Sequence, residues 1–130
     1  MSPENPSRRY ITLSSRKTPL PFSDAVLVGD TLYISGRIGI DPATGVAPAD
    51  IDQELRLLFD GFETVLMESA MTFDDLAWVQ VFSPDISLWD RFNAHYVQHF
   101  SREFPARAFI GSGQLLKGGR FEMMGIAAKR

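Results

Sequence analysis

Between Asp50 and Ala70 the apolar residues recur every three or four positions: Ile51, Leu55, Leu58, Phe59, Phe62, Val65 and Leu66. That spacing predicts an α-helix with one apolar stripe, which is stable only if something equally apolar lies beneath it. Asp50, with Gln53 three residues on, resembles a capping box at its start. One other segment, Leu88–Phe100, has the helical period, with Leu88, Trp89, Phe92, Tyr96 and Phe100 predicted to face inward. The rest of the patterned chain reads as strands. A short one is expected near Arg9–Ser14, and Ala25–Val28 with Thr31–Ile38 form a hairpin about Gly29-Asp30. Leu76–Phe82 follows the first helix, and Ala106–Ser112 and Arg120–Ala127 flank a glycine-rich loop. Asp41-Pro42-Ala43-Thr44-Gly45 is a turn by its chemistry.

The order is therefore three strands, a helix, a strand, a helix and two strands. Two helices can cover only one face of such a sheet. Yet the fourth strand is apolar on both faces, with Ala77, Val79 and Val81 on one side and Trp78 and Phe82 on the other. With no further helix to cover the second face, another copy of the chain is the economical partner, and an oligomer is expected. Residues 1–130 are enough for a single α+β domain, with residues 1–8 as a loose N-terminal arm punctuated by Pro3 and Pro6.

Composition removes several functions. A net charge of -3 offers no basic field to a phosphate backbone, so no nucleic-acid partner is expected. With no cysteine there is no disulfide, thiolate nucleophile or Cys-ligated metal. The start lacks the apolar core of a leader, and no stretch approaches the ~18 apolar residues of a spanning helix. A soluble, cytoplasmic protein without membrane contact is the expectation.

Among candidate motifs, the glycines around Lys117 lack the following Ser or Thr of a phosphate-binding loop. Ser35 and Ser112 sit in no nucleophile elbow. His95 and His99, four apart on the second helix, have a chelating spacing but no acidic third ligand in sequence, so no metal is expected. Glu122 is different: it shares a strand face with Met124 and Ile126, and a carboxylate there must be paired or have its proton affinity raised. Arg107, opening the preceding strand, carries the planar fork that suits a substrate carboxylate. On spacing alone, a structural Arg107–Glu122 salt bridge at a sheet edge is the default reading, ahead of a catalytic pair.

Phe104-Pro105-Ala106-Arg107, then Leu115-Leu116-Lys117-Gly118-Gly119-Arg120-Phe121-Glu122, then Gly125-Ile126-Ala127, resemble the C-terminal signature of the RidA/YjgF family of reactive-intermediate deaminases. Upstream, Pro21-Phe22-Ser23-Asp24-Ala25-Val26, Tyr33-Ile34-Ser35-Gly36, Asp41–Gly45 and Phe92-Asn93-Ala94 with Tyr96 fit the same family in the same order. The resemblance implies a chorismate-mutase-like α+β fold, a homotrimer with ligand clefts between subunits, and a cofactor-free deaminase of the 2-iminobutanoate/2-iminopropanoate type. It implies that Arg107 clamps the carboxylate of a 2-imino or 2-enamino acid while Glu122 positions water and moves the proton. Phe22, Ser35, Gly36, Arg37, Asn93 and Phe109 would line the cleft. Three of these depart from the family pattern: Phe22 replaces a tyrosine, Arg37 a common glutamine, and Phe109 a small side chain or cysteine. A non-catalytic, carboxylate-binding trimer and an RNA-cleaving enzyme are the competing readings.

Overall fold

The computed structural model describes residues 7–130. Its strands are β1 (Arg8–Ile11), β2 (Ala25–Val28), β3 (Thr31–Ile38), β4 (Leu76–Ser83), β5 (Ala106–Gly111) and β6 (Glu122–Ala128), and its helices are α1 (Ile51–Met67) and α2 (Trp89–Tyr96). They form an α+β fold around one six-stranded sheet, ordered β1-β2-β3-β6-β4-β5. All neighbours are antiparallel except β4 and β5, which run parallel because α2 carries the chain across between them.

The stripe of α1 is buried as its period demands, with Leu55, Leu58, Phe59, Phe62, Val65 and Leu66 all shielded. They meet Leu32 and Ile34 of β3, Val79 and Val81 of β4, and Met123 and Ala127 of β6 in one core. α1 is shorter than its pattern. Met67 is its last residue and Ala70 takes a left-handed φ of 55°, turning the chain toward β4. Asp50 caps it by accepting from the Asp52 N–H, one residue earlier than the expected Gln53 box. The reciprocal capping pair forms instead at Thr72 and Asp75.

Three placements differ from expectation. Ala77 is exposed, not inward, because a bulge between Leu76 and Trp78 shifts the register and turns Leu76 into the core. Trp89, expected to face inward, is 48% exposed. The first strand starts at Arg8, so that residue belongs to the sheet, and the Ser7 carbonyl accepts from the Gly29 N–H; residues 1–6 of the expected arm lie outside the described residues. The outward face carries half-buried Trp78, Phe82, Met124 and Ile126 and exposed Tyr33 and Ile110, and neither helix covers it. No described helix is long and apolar enough to cross a membrane.

Candidate functional site

Strand alternation decides where the two proposed catalytic side chains go. In β5, Arg107 and Phe109 pair with Val79 and Val81, whose side chains are fully buried on the helix side. In β6, Met123 points into the same core, so Glu122 points to the opposite face, level with Phe82 and Ile38. Arg107 and Glu122 therefore stand on opposite faces and two strands apart, about 9–10 Å across the sheet before any offset along it. The structural salt bridge that spacing allowed does not form.

The guanidinium of Arg107 lies in a cage of rings. Its central carbon sits 4.5 Å from the Tyr96 centroid, 5.0 Å from Trp89, 5.6 Å from Phe92 and 5.9 Å from Phe109. The rings brace one another: Trp89 and Phe92 each meet Phe109 edge-on. Such cation–π contacts hold the guanidinium at a fixed angle without neutralising it. Among the described residues no carboxylate pairs with it; the acids in ion pairs are Asp24, Asp52, Glu54 and Glu68. Its buried Nη1 has no hydrogen-bond partner. Burial lowers the pKa of Arg107, yet a guanidinium remains charged near neutrality. Burial also raises the Tyr96 hydroxyl to about 12, so Tyr96 stays a neutral wall. Asn93, Phe104 and Pro105 join Tyr96 and Arg107 around an open cavity of about 300 Å³.

Glu122 lines a different cavity, of about 500 Å³, with Leu20, Phe22, Ser35, Gly36, Ile38, Ile40, Leu116 and Lys117. A bulge in β3 between Ile34 and Arg37 creates this side. Ser35 and Gly36 together span the step that one β6 residue occupies, which keeps the alternation of Ile38 opposite Glu122. A Cβ on Gly36 would sit 2.7 Å from Glu122 Oε2, so the missing side chain is what lets the carboxylate lie against the strand. Ser35 is already committed: its hydroxyl donates to the Ser23 carbonyl at 2.6 Å and its N–H to the Asp24 carbonyl at 3.0 Å.

The expected site residues thus divide into two half-sites. Phe22, Ser35, Gly36 and Glu122 come together on one; Asn93, Arg107 and Phe109 on the other. Phe109 walls the arginine and packs on Phe92, away from the Glu122 cavity. Arg37 lines neither half-site. It points toward α1, where Gly61 leaves room for its guanidinium, and it donates to Asp24 Oδ1 at 3.2 Å beside Arg16. Desolvation lowers its pKa, with Asp24 pulling the other way. The cavity at this cluster shares Phe22 and Gly36 with that of Glu122.

The histidines are occupied. His95 Nε2 lies 3.0 Å from Asp52 Oδ1, an acidic neighbour from α1 that the sequence spacing did not reveal. His99 is half-buried and stacks on Phe59 at 4.5 Å. Among the described residues no cluster of three or more His, Cys, Asp or Glu could hold a metal.

Sequence reasoning missed two supports. Tyr96 is buried in the core as its helical spacing predicts and also faces the arginine, whereas Trp89, 48% exposed, packs on the arginine instead of the core. The other is Glu54, fully buried in α1, which accepts from Arg120 Nε at 2.6 Å and from the Arg120 N–H at 2.7 Å. Arg120 also donates to the carbonyls of Pro48 and Ala49, which fixes the loop two residues before Glu122. Glu54 interrupts an otherwise apolar stripe beside Leu55, and that interruption was the available signal.

Comparison with known proteins follows the same outline. The pattern of the family described as endoribonuclease L-PSP matches residues 13–129. A 2-iminobutanoate/2-iminopropanoate deaminase of Bos taurus is 36% identical over 121 residues, covering 90% of this chain and 88% of that protein. A RutC family protein of Sulfurisphaera tokodaii is 32% identical over 122 residues, 91% and 98% of the two chains. The crystal structure of a Yersinia pestis protein of the conserved Rid family, itself of unknown function, superposes with a TM-score of 0.86 at 28% identity, covering 95% of this chain and all of that one. Sequence pattern and overall fold agree along nearly the whole length: the chain belongs to the endoribonuclease L-PSP family, the RidA/YjgF proteins.

Proposed function

We propose that this protein is a cofactor-free hydrolytic deaminase that converts 2-imino and 2-enamino acids to 2-keto acids and ammonia, working as a homotrimer with clefts between copies. The observation that carries the reading is Arg107: a caged cation with no counter-ion among the described residues. A desolvated charge without a partner is costly, and an incoming carboxylate removes that cost by charge-assisted hydrogen bonds. Because Glu122 faces the other side of the sheet, the cleft is completed when the helix-side edge of one copy meets the outer face of the next. That apposition also covers the apolar face the helices leave bare.

With a substrate carboxylate on Arg107, the imine carbon lies toward Glu122 of the facing copy. Glu122 delivers a proton to C3 of the enamine and so forms the iminium at C2. It then takes a proton from water as the oxygen bonds to C2, giving a carbinolamine. Returned to nitrogen, that proton lets the C–N bond break and ammonia leave, while the hydroxyl oxygen forms the keto C=O and gives its own proton to Glu122. One general acid–base group contributes about 10²–10⁴-fold per step, and labile imines need no more.

The test generates imino acids in situ with an amino-acid oxidase and follows their loss against semicarbazide trapping. Acceleration by the wild type, lost in Arg107→Ala and reduced about 10²–10⁴-fold in Glu122→Gln, is expected. No acceleration across small, branched and aromatic substrates contradicts the reading. Binding of keto acids without turnover would support the non-catalytic alternative, which the missing hydroxyl at Phe22 favours. RNA cleavage is disfavoured by the commitment of His95 to Asp52 and of His99 to the Phe59 stack.

A further inference from the structure

We infer that the cavity beside Glu122 is a side-chain pocket, and that it makes 2-imino acids with long or branched apolar side chains the preferred substrates over the three-carbon imine. The inference rests on the deaminase reading and names the substrate class of that same site. Its walls are Leu20, Phe22, Ile38, Ile40 and Leu116. Leu20, Phe22 and Leu116 are 49%, 50% and 76% exposed, an arrangement that leaves apolar surface in water until something covers it.

The polar groups of the cavity are spent or placed elsewhere. Ser35 donates to Ser23, Glu122 is reserved for the reaction, and Lys117 lies exposed at the rim. Phe22 brings no hydroxyl. A polar substrate side chain would therefore enter without hydrogen-bond partners, while an apolar one loses only its water. The volume of about 500 Å³ falls within the roughly 300–1,000 Å³ of pockets that enclose ligands much larger than a three-carbon acid. A facing copy would close the mouth with its own Arg107 side, where Tyr96, Phe104 and Pro105 are again mainly apolar.

Affinity of the purified protein for pyruvate, 2-oxopentanoate, 4-methyl-2-oxopentanoate and phenylpyruvate, measured by calorimetry, tests the pocket without needing turnover. Each buried methylene is expected to tighten binding about fourfold, giving on the order of 50-fold between pyruvate and 4-methyl-2-oxopentanoate. Leu116→Ser should weaken the branched acid several-fold more than pyruvate. The matching imines in the oxidase-coupled assay should show the same gradient in kcat/KM. Equal affinities along the series, or pyruvate bound tightest, would overturn the pocket whatever the turnover. A clear affinity gradient with no imine hydrolysed would leave the pocket standing and remove the deaminase reading instead.

Discussion

Gly36 and Glu122 illustrate how little separates a working carboxylate from a displaced one. The hypothetical Cβ at Gly36 meets the far end of the Glu122 side chain, not backbone, and Gly36 holds no left-handed φ. Gly36→Ala should thus keep the fold, with stability changed by less than about 1 kcal/mol. It should also lower kcat/KM about 10²-fold, because a carboxylate moved by about an ångström no longer meets its proton. Thermal unfolding beside the imine assay reads both; full activity would remove Glu122 from the chemistry. At this scale the candidates were legible because Arg107, Glu122, Asn93 and Ser35 stand in recognisable motifs, and the structure gathers them into two cavities. What the motifs did not carry was surroundings. Arg37 looked like charge for the cleft, yet Asp24 and the gap at Gly61 draw it toward α1.

The elements α1 and β6 are tied by a buried ion pair. Glu54 is fully buried and, among the described residues, its carboxylate accepts only from Arg120, so removing its charge leaves a guanidinium only partly served by the Pro48 and Ala49 carbonyls. Glu54→Gln should cost about 3 kcal/mol in chemical denaturation and loosen the loop that presents Glu122. An unchanged unfolding midpoint would show the pair to be dispensable. Between α1 and the turn after α2, His99 makes stability depend on pH. Burial lowers its pKa, with Glu63 and Asp60 of α1 opposing and His95 reinforcing. Neutral His99 is then favoured in the folded state, so the unfolded chain takes up the proton first. Stability should fall as pH drops below about 6.5, and His99→Phe, which keeps the stack on Phe59, should flatten that part of the profile. An identical slope in the variant would assign the dependence to other groups. Helix and strand identity were legible from period alone. The ends were not, because Ala70 and the Leu76–Trp78 bulge are backbone decisions that no side-chain pattern announces.

For the whole molecule, the two-sided apolar strands told early that one face would be left bare, and Trp78, Phe82, Tyr33 and Ile110 bear that out. The separation of Arg107 from Glu122 was hidden, since it depends on β4 lying between β5 and β6 and on the opposite pointing of two strands distant in sequence. It is also what makes the account testable. Arg107→Ala and Glu122→Gln variants, each inactive alone, should complement one another when unfolded and refolded together. In a ring where each cleft takes the arginine from one copy and the glutamate from the next, random mixing restores both groups in about one cleft in four. Recovery of about a quarter of wild-type imine hydrolysis is the predicted result. A mixture no more active than either variant alone would contradict the shared cleft and the function built on it.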